Sequence, residues 1–347
     1  MNLSEDPWQL PSARAFLSEI ESQVAGGGCV AVKGGPSMPA GLDLALQQYL
    51  EANGVSVTSI TPQAAELPLE ALATPFGVPA ELETLAQGGL SDHLAVIVAT
   101  GLGSAPCAAW RVFLNRFRAV RSKGASGLSV LFLAPDGFES DGVPCLGWNG
   151  RLRRVDVTIW ADFHAPLDRP EPLASLAAAL AVELCGWRLD LAAEIARARR
   201  EDLLNPFGWL ALRAGFGASP PCTLGGLHMS CPIALLDQGA ESEIRGRIWL
   251  AQLTALFPWI ETHRQKVIGR HRKLLRVDDR LRAFGVTSVD EIEFGALAWQ
   301  LNSRIARMEA EMITCFAQMR NDLAHRKPVN PSDLDRTLRG AAQLDKA

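Results

Sequence analysis

Zinc-type cysteine spacing is absent from this chain of 347 residues. None of its seven cysteines forms a Cys-x-x-Cys pair, and no histidine is spaced with them as a zinc ligand set. We therefore expect no metal site and no cofactor. An odd number of scattered cysteines, with no secretory leader, predicts reduced thiols and a cytoplasmic protein.

Apolar runs long enough to cross a membrane are also lacking. The alanine- and leucine-rich run at 173–185 is shorter than the roughly 20 residues that a transmembrane helix needs. Glu171 and Glu183 lie close to its two ends. We expect a buried helix there and no association with a membrane.

The chain has no overall excess of positive charge. Its formal net charge is −4, which argues against a protein that coats nucleic acid along its whole surface. Residues 241–347 nevertheless hold 18 Lys and Arg against 14 Asp and Glu. The densest basic cluster lies at 263–276, where an RNA-facing surface and a solvated helix face are both open interpretations.

The length predicts two domains, and a hydrophobic content of 48% is sufficient for two cores. Strand and helix patterns alternate in the first 200 residues. Strands are predicted at 29–33, 55–60, 94–100, 128–134 and 155–160, with helices at 41–52, 80–87 and 105–121. Apolar strands between helices indicate an α/β fold with a mostly parallel five-stranded sheet and flanking helices.

A glycine-rich loop follows the first predicted strand and leads into a helix. Gly34, Gly35 and Gly41 lie where a nucleotide-binding protein places its phosphate loop. Leu42 and Asp43 stand where the Lys and Ser/Thr of a Walker A motif belong, and no acidic residue ends the third strand. This half resembles a degenerate P-loop NTPase core of the STAND type, which implies a loop without hydrolysis. An ordinary α/β interaction domain is the alternative.

The C-terminal part has a helical pattern. Residues 205–240 are rich in Gly and Pro, and we interpret them as a connecting segment between an α/β domain at 1–204 and a helical domain at 241–347. One long helix is predicted at 242–276 and another at 294–324. The second prediction rests on apolar residues at three- and four-residue steps: Leu301, Ile305, Met308, Met312, Phe316, Met319 and Leu323.

A possible phosphate-cleaving set lies near the end of this second helix. Arg320 offers a permanently charged fork for phosphate oxygens, and His325 can take and give a proton near neutral pH. Asn321 precedes His325 by four residues, so its amide can orient the imidazole ring. Arg320 lies about 140° around the helix from His325. Two copies of the helix across a dimer axis would therefore unite the groups better than one.

The Arg320, Asn321 and His325 pattern, within an apolar helix, resembles the signature of the HEPN family over residues 241–347. The resemblance implies a small helical bundle, usually a homodimer, and in many members a metal-independent endoribonuclease. His325 would then be the acid and base, Arg320 would stabilise the phosphoryl charge, and Asn321 would orient the ring. Arg326 and Lys327 would help hold the RNA backbone.

Together the two resemblances imply a toxin-like protein of a bacterial conflict or anti-phage defence system. A non-hydrolysing sensor domain would control an RNA-cutting domain, with RNA and proteins of the defence system as partners. Two alternatives remain open. The chain is a non-catalytic adaptor or scaffold in a multi-protein defence complex, or it is a nucleotide-binding sensor.

Overall fold

A five-stranded sheet organises the N-terminal part of the protein. The computed structural model describes residues 6–87, 89–121, 127–135 and 137–344. The strands follow in the order β2-β3-β4-β1-β5, and every neighbouring pair is parallel. The prediction of an α/β fold with a five-stranded parallel sheet is confirmed. The strands are β1 (Cys29–Lys33), β2 (Ser56–Ile60), β3 (His93–Val98), β4 (Ser129–Ala134) and β5 (Cys145–Gly147).

Helices cover both faces of this sheet, as buried apolar strands require. On one face, Trp110, Phe113 and Phe117 join a hydrophobic cluster with Ala31 of β1 and Phe132 of β4. On the other face, the first helix packs against β1 and β4. The helices of this part are α1 (Pro11–Gly27), α2 (Leu42–Glu51), α3 (Pro68–Ala73), α4 (Leu82–Gln87) and α5 (Ser104–Arg121).

The chain divides into two compact units. The first contains the described residues up to Asp156 together with Pro221–Met229, and the second contains Val157–Pro220 and the described residues from Ser230 onward. The segment that returns to the first unit forms an antiparallel hairpin of two short strands. These are β6 (Cys222–Leu224) and β7 (Leu227–Met229).

Helices make up the regular structure of the second unit in the part of the chain that the structure describes. No helix among the described residues is both long and apolar enough to cross a membrane. The helices are α6 (Arg154–His164), α7 (Leu173–Leu180), α8 (Leu189–Arg197), α9 (Arg200–Leu204), α10 (Pro206–Ala211), α11 (Pro232–Asp237), α12 (Glu241–His271), α13 (Asp279–Ala283), α14 (Phe294–Leu301), α15 (Arg307–Ala324) and α16 (Pro331–Leu344).

The predicted strand at 155–160 is wrong, because these residues belong to α6. Asp156 explains the difference: its carboxylate accepts a hydrogen bond from the backbone N–H of Arg153 at 2.8 Å, which satisfies a free donor at the helix start. The buried residues Val157, Trp160 and His164 then recur at helical steps. The fifth strand of the sheet is instead β5.

The helix predicted at 294–324 is interrupted. Residues between α14 and α15 form a turn that begins at Asn302 and Ser303. Side chains of this kind compete with the helix by bonding to nearby backbone. The upstream helix, predicted at 242–276, is α12, and it continues through Pro258.

The units and the predicted domains divide the chain at different places. The unit boundary falls within α6, whereas sequence pattern places a domain end at 204. The predicted connecting segment at 205–240 contains α10, the β6–β7 hairpin and α11. The domain scheme of 1–204, 205–240 and 241–347 therefore stays a prediction about sequence pattern.

Candidate functional site

The C-terminal end of α15 is a hydrogen-bonded cap. His325 is the C-cap residue that directly follows Ala324, the last residue of the helix, and Arg326 adopts a left-handed φ of 58°. The Lys327 N–H donates to Asp322 O at 2.9 Å, and the Arg326 N–H donates to Leu323 O at 3.2 Å. This is the Schellman pattern, in which glycine is the usual left-handed residue. Among the described residues, Arg326 is the one non-glycine residue with a positive φ.

The predicted acid and base lies open to solvent. The side chains of His325 and Asn321 are exposed, and the backbone N–H of His325 donates to Asn321 O at 2.9 Å. No hydrogen bond joins the Asn321 amide to the imidazole within the described part of the chain. The orienting role of Asn321 stays a prediction, whereas the ring is accessible from solvent.

Arg320 lies in an acidic environment. Its Nη2 donates to Glu293 Oε1 at 3.0 Å, and the two side chains are 34% and 56% exposed. A second carboxylate, that of Glu261, is also close enough for Arg320 to affect it. Its pKa is lowered chiefly by a hydrogen bond from Arg264, and the charge of Arg320 contributes to the shift. The guanidinium is therefore partly neutralised by protein carboxylates.

Arg320 and His325 lie on different sides of the helix end. Five residues separate them, which corresponds to about 140° around an α-helix. Within the described residues no hydrogen bond connects the two side chains. In a single copy of the helix, the two side chains therefore do not meet at a common point.

Two side chains of α12 hold the backbone that follows the site. Trp249 Nε1 donates to Leu323 O at 2.7 Å, and the Arg326 guanidinium carbon lies 5.9 Å from the centre of the Trp249 ring. The buried Gln252 accepts a hydrogen bond from the Val329 N–H at 2.7 Å. Sequence reasoning missed both roles, because the partners lie 74 and 77 positions apart in the chain.

Arg326 and Lys327 are both exposed beside the capped helix end. The left-handed backbone of Arg326 turns the chain after the helix, and the two cations directly follow His325 in the sequence. Their contact with an RNA backbone stays a prediction.

The glycine-rich loop after β1 bonds to its own unit. Gly41 has a φ of 79° and precedes α2. Ser37 is buried, and its Oγ accepts hydrogen bonds from Trp148 Nε1 and from the Cys222 thiol, both at 3.1 Å. Asn149 Oδ1 lies 3.1 Å from the same sulfur. The loop is thus held by residues far from it in sequence.

Close packing also fills the space around the first two glycines of this loop. A Cβ on Gly34 would lie 3.2 Å from the terminal methyl of Met38, and a Cβ on Gly35 would lie 3.6 Å from Asn149. Trp8 Nε1 donates to Ala40 O at 2.8 Å. The structure therefore keeps Gly34, Gly35 and Gly41 together in one loop, but much of that loop is in contact with protein.

A cleft of about 440 Å³ lies elsewhere on the first unit, at the carboxyl ends of β3 and β4. Open α/β sheets commonly bind ligands at this edge. Burial raises the pKa of the Cys107 thiol in its wall. Sequence reasoning missed this cleft because its walls come from two separate segments. They are Leu102, Ser104, Cys107, Ala108 and Arg111, and Pro135, Gly137, Phe138 and Glu139.

Comparison with family models and curated sequences identifies no relative. Within the described residues, no group of three or more His, Cys, Asp and Glu side chains is arranged to hold a metal ion. The functional interpretation therefore depends on the residues themselves.

Proposed function

We propose that this chain is a metal-independent endoribonuclease of the HEPN type, controlled by a non-hydrolysing sensor unit, in a bacterial conflict or defence system. One observation carries the proposal. His325 is exposed at the end of α15, five residues after a partly exposed Arg320, in the spacing of the HEPN signature.

The chemistry is a transesterification within the RNA. The ribose 2′-hydroxyl loses its proton to the imidazole of His325 and attacks the adjacent phosphorus. The Arg320 guanidinium stabilises the charge that builds on the phosphoryl oxygens. The bond to the 5′-oxygen breaks, and that oxygen receives a proton from an imidazolium. The products are a 2′,3′-cyclic phosphate and a 5′-hydroxyl.

A homodimer would bring an arginine and a histidine to the same phosphate, which a single copy does not do. Because Arg320 and His325 lie about 140° apart on their helix, one phosphate cannot easily touch both. Two α15 ends across a two-fold axis would place the arginine of one copy near the histidine of the other. Arg326 and Lys327, exposed at the same end, would contact the flanking phosphates.

The sensor part of the proposal rests on the first unit. Leu42 and Asp43 replace the groups that would hold a terminal phosphate and magnesium, so hydrolysis of ATP is not expected. The cleft at the ends of β3 and β4 offers room for a small trigger molecule. Ligand-dependent thermal stabilisation of the full chain would test this role.

A non-catalytic adaptor is the second candidate, and one observation favours it. Arg320 is already bonded to Glu293 at 3.0 Å, as expected of an arginine that stabilises the fold. In an adaptor, the α15 end would serve assembly, and replacing His325 would leave RNA unaffected.

Incubation of total RNA with the purified chain, without added metal, tests the proposal. His325→Ala is compared with the wild type and with His228→Ala, which removes another exposed histidine. We expect wild type and His228→Ala to leave 2′,3′-cyclic phosphate and 5′-hydroxyl ends, and His325→Ala to cut at least about 100-fold more slowly. Equal cutting by all three, or none by the wild type, would reject the nuclease.

A further inference from the structure

The second unit carries an aromatic cleft that the proposed chemistry does not use. It has a volume of about 390 Å³ and lies between α13 and α14. Phe284 and Trp299, from its two sides, are 78% and 67% exposed. Single exposed apolar side chains are common, whereas several grouped at one place on the surface indicate a binding site. The cleft is lined by Asp278, Arg280, Leu281, Phe284, Gly295, Ala296 and Trp299.

The walls of this aromatic cleft are fixed to each other by hydrogen bonds. The Gln300 side chain, next to Trp299, accepts from the Arg276 N–H at 3.0 Å and donates to Arg276 O at 2.8 Å. Asp278 caps α13 by accepting from the Leu281 N–H at 2.9 Å. The two rings therefore project from segments that these hydrogen bonds hold together.

Charge around the aromatic cleft favours an anionic ligand. The carboxylate of Asp278 is committed to the helix cap, and that of Asp279 is paired with Arg282 at 2.7 Å. Arg280 lines the cleft and forms no hydrogen bond or ion pair with any residue in the described part of the chain. Arg276, beside it, is exposed. An unpaired guanidinium thus lies beside two open aromatic rings.

We propose that the aromatic cleft binds single-stranded RNA, with bases stacked on Phe284 and Trp299 and a phosphate paired with Arg280. Aromatic faces accept any base, and arginine supplies both charge and stacking, so this set of groups suits a single strand. The proposal rests on the proposed RNA cleavage, for which it names how the substrate is held.

The position of the cleft connects it to the candidate site. Trp299 lies six residues after Glu293, which is about 9 Å along the axis of α14, and Glu293 is bonded to Arg320. The cleft faces away from the side of α14 that packs on α15 through Phe294 and Leu297. A strand held in the cleft would therefore reach Arg320 by passing the N-terminal end of α14.

Fluorescence anisotropy with a labelled, unstructured 12-nucleotide RNA tests the proposal. All chains carry His325→Ala, so that cleavage does not consume the probe. Trp299→Ala, Phe284→Ala and Arg280→Ala are expected to raise Kd about 10-fold each. Arg280→Ala should also reduce the slope of log Kd against log salt by about one.

Two matched variants serve as controls. Phe216→Ala removes an exposed phenylalanine outside the cleft, and Arg307→Ala removes an exposed arginine that does not line the cleft and is paired with Glu311. Both are expected to bind RNA within about twofold of the parent chain. Thermal unfolding of every variant checks that it is folded, which exposed substitutions should permit.

Three results would overturn the proposal. They are no RNA binding by the parent chain, equal losses in the cleft variants and their controls, and a shift from dimer to monomer in Trp299→Ala by light scattering. The last would identify the cleft as a contact between two copies. Binding that depends on Trp299, without cleavage by the wild type, would support the cleft and reject the nuclease. If Trp299→Ala changes neither RNA binding nor the cleavage of RNA, the nuclease is supported and the cleft is rejected as its RNA-binding site.

Discussion

At the scale of single residues, Arg320 is shared between two possible partners. Its bond to Glu293 competes with any phosphate, and an ion pair this exposed is worth ~1 kcal/mol or less. We predict that Glu293→Gln, by releasing the guanidinium, raises the rate of RNA cleavage by up to about fivefold. Single-turnover cleavage of a labelled RNA measures the change.

Glu311→Gln is the control for this substitution, since it also removes a carboxylate from a surface ion pair on the same unit, with Arg307 at 2.8 Å. Its cleavage rate should equal that of the wild type. A loss of activity in Glu293→Gln would show that the carboxylate orients Arg320 instead of restraining it.

The left-handed backbone of Arg326 should lower the stability of the protein, and this cost can be measured. A non-glycine residue in the left-handed region costs ~1–2 kcal/mol, and glycine avoids most of this. Arg326→Gly and Arg326→Ala both lose the contact with Trp249, so their difference isolates the backbone. We predict that the glycine variant is more stable by about 1 kcal/mol. Urea unfolding of the two variants tests this, and an alanine variant of equal or greater stability would contradict it.

The sequence could suggest the residues of the candidate site because they are close together in the chain. Arg320, Asn321 and His325 are close in one helix, so their spacing is visible in a short window. Glu293 and Trp249 lie 27 and 74 residues from their partners Arg320 and Leu323, and no window of sequence connects them. The ion pair that restrains Arg320 therefore needed the structure.

At the scale of elements, four of the five strands were predictable and the edge strand β5 was not. The apolar runs of β1, β3 and β4 are buried on both faces, which gives a strong signal. The edge strand β5 has three residues, too few for any pattern. The segment at 155–160 alternates like a strand, but its helix start depends on Asp156, whose carboxylate also accepts from the Ser12 N–H at 3.0 Å.

The approach of α4 to β4 depends on a glycine. A Cβ on Gly127 would lie 2.2 Å from Ala86 O, which is backbone and cannot rotate away. The Leu128 N–H donates to Leu85 O at 3.0 Å and holds the two segments together. We predict that Gly127→Ala destabilises the first unit by ~2–3 kcal/mol, a typical cost of overpacking.

Gly147→Ala is the matched control in the same sheet. A Cβ there would meet no atom within 4 Å, so its stability should change by less than about 0.5 kcal/mol. Denaturant unfolding followed by tryptophan fluorescence compares the two. A Gly127→Ala protein as stable as the control would mean that α4 can move without cost.

At the scale of the whole molecule, the two units are not continuous in sequence. Residues 221–229 belong to the first unit, where Cys222 contacts Ser37 and Asn149 across 185 and 73 positions. A linker predicted from Gly and Pro content cannot reveal such a return, because composition says nothing about distant partners. The α/β class was predictable, whereas the path of the chain between the units was not.

Buried thiols in each unit allow the division of the chain into two units to be tested. Cys29 and Cys222 are buried in the first unit, and Cys185 and Cys231 are buried in the second. Burial raises the pKa of Cys29 to about 12 and also raises that of Cys185, with smaller effects of nearby charges. Both therefore stay protonated near neutral pH, and maleimide reacts with the thiolate.

We predict that a short maleimide pulse at increasing urea labels these thiols in two pairs. Cys29 should become reactive together with Cys222, and Cys185 together with Cys231, because each pair is released by the unfolding of one unit. Peptide mass spectrometry measures each site, and the half-buried Cys107, which should react before either pair, serves as the internal control. If Cys222 instead became reactive with Cys185 and Cys231, the β6–β7 hairpin would unfold with the second unit, and the division of the chain would need to be redrawn.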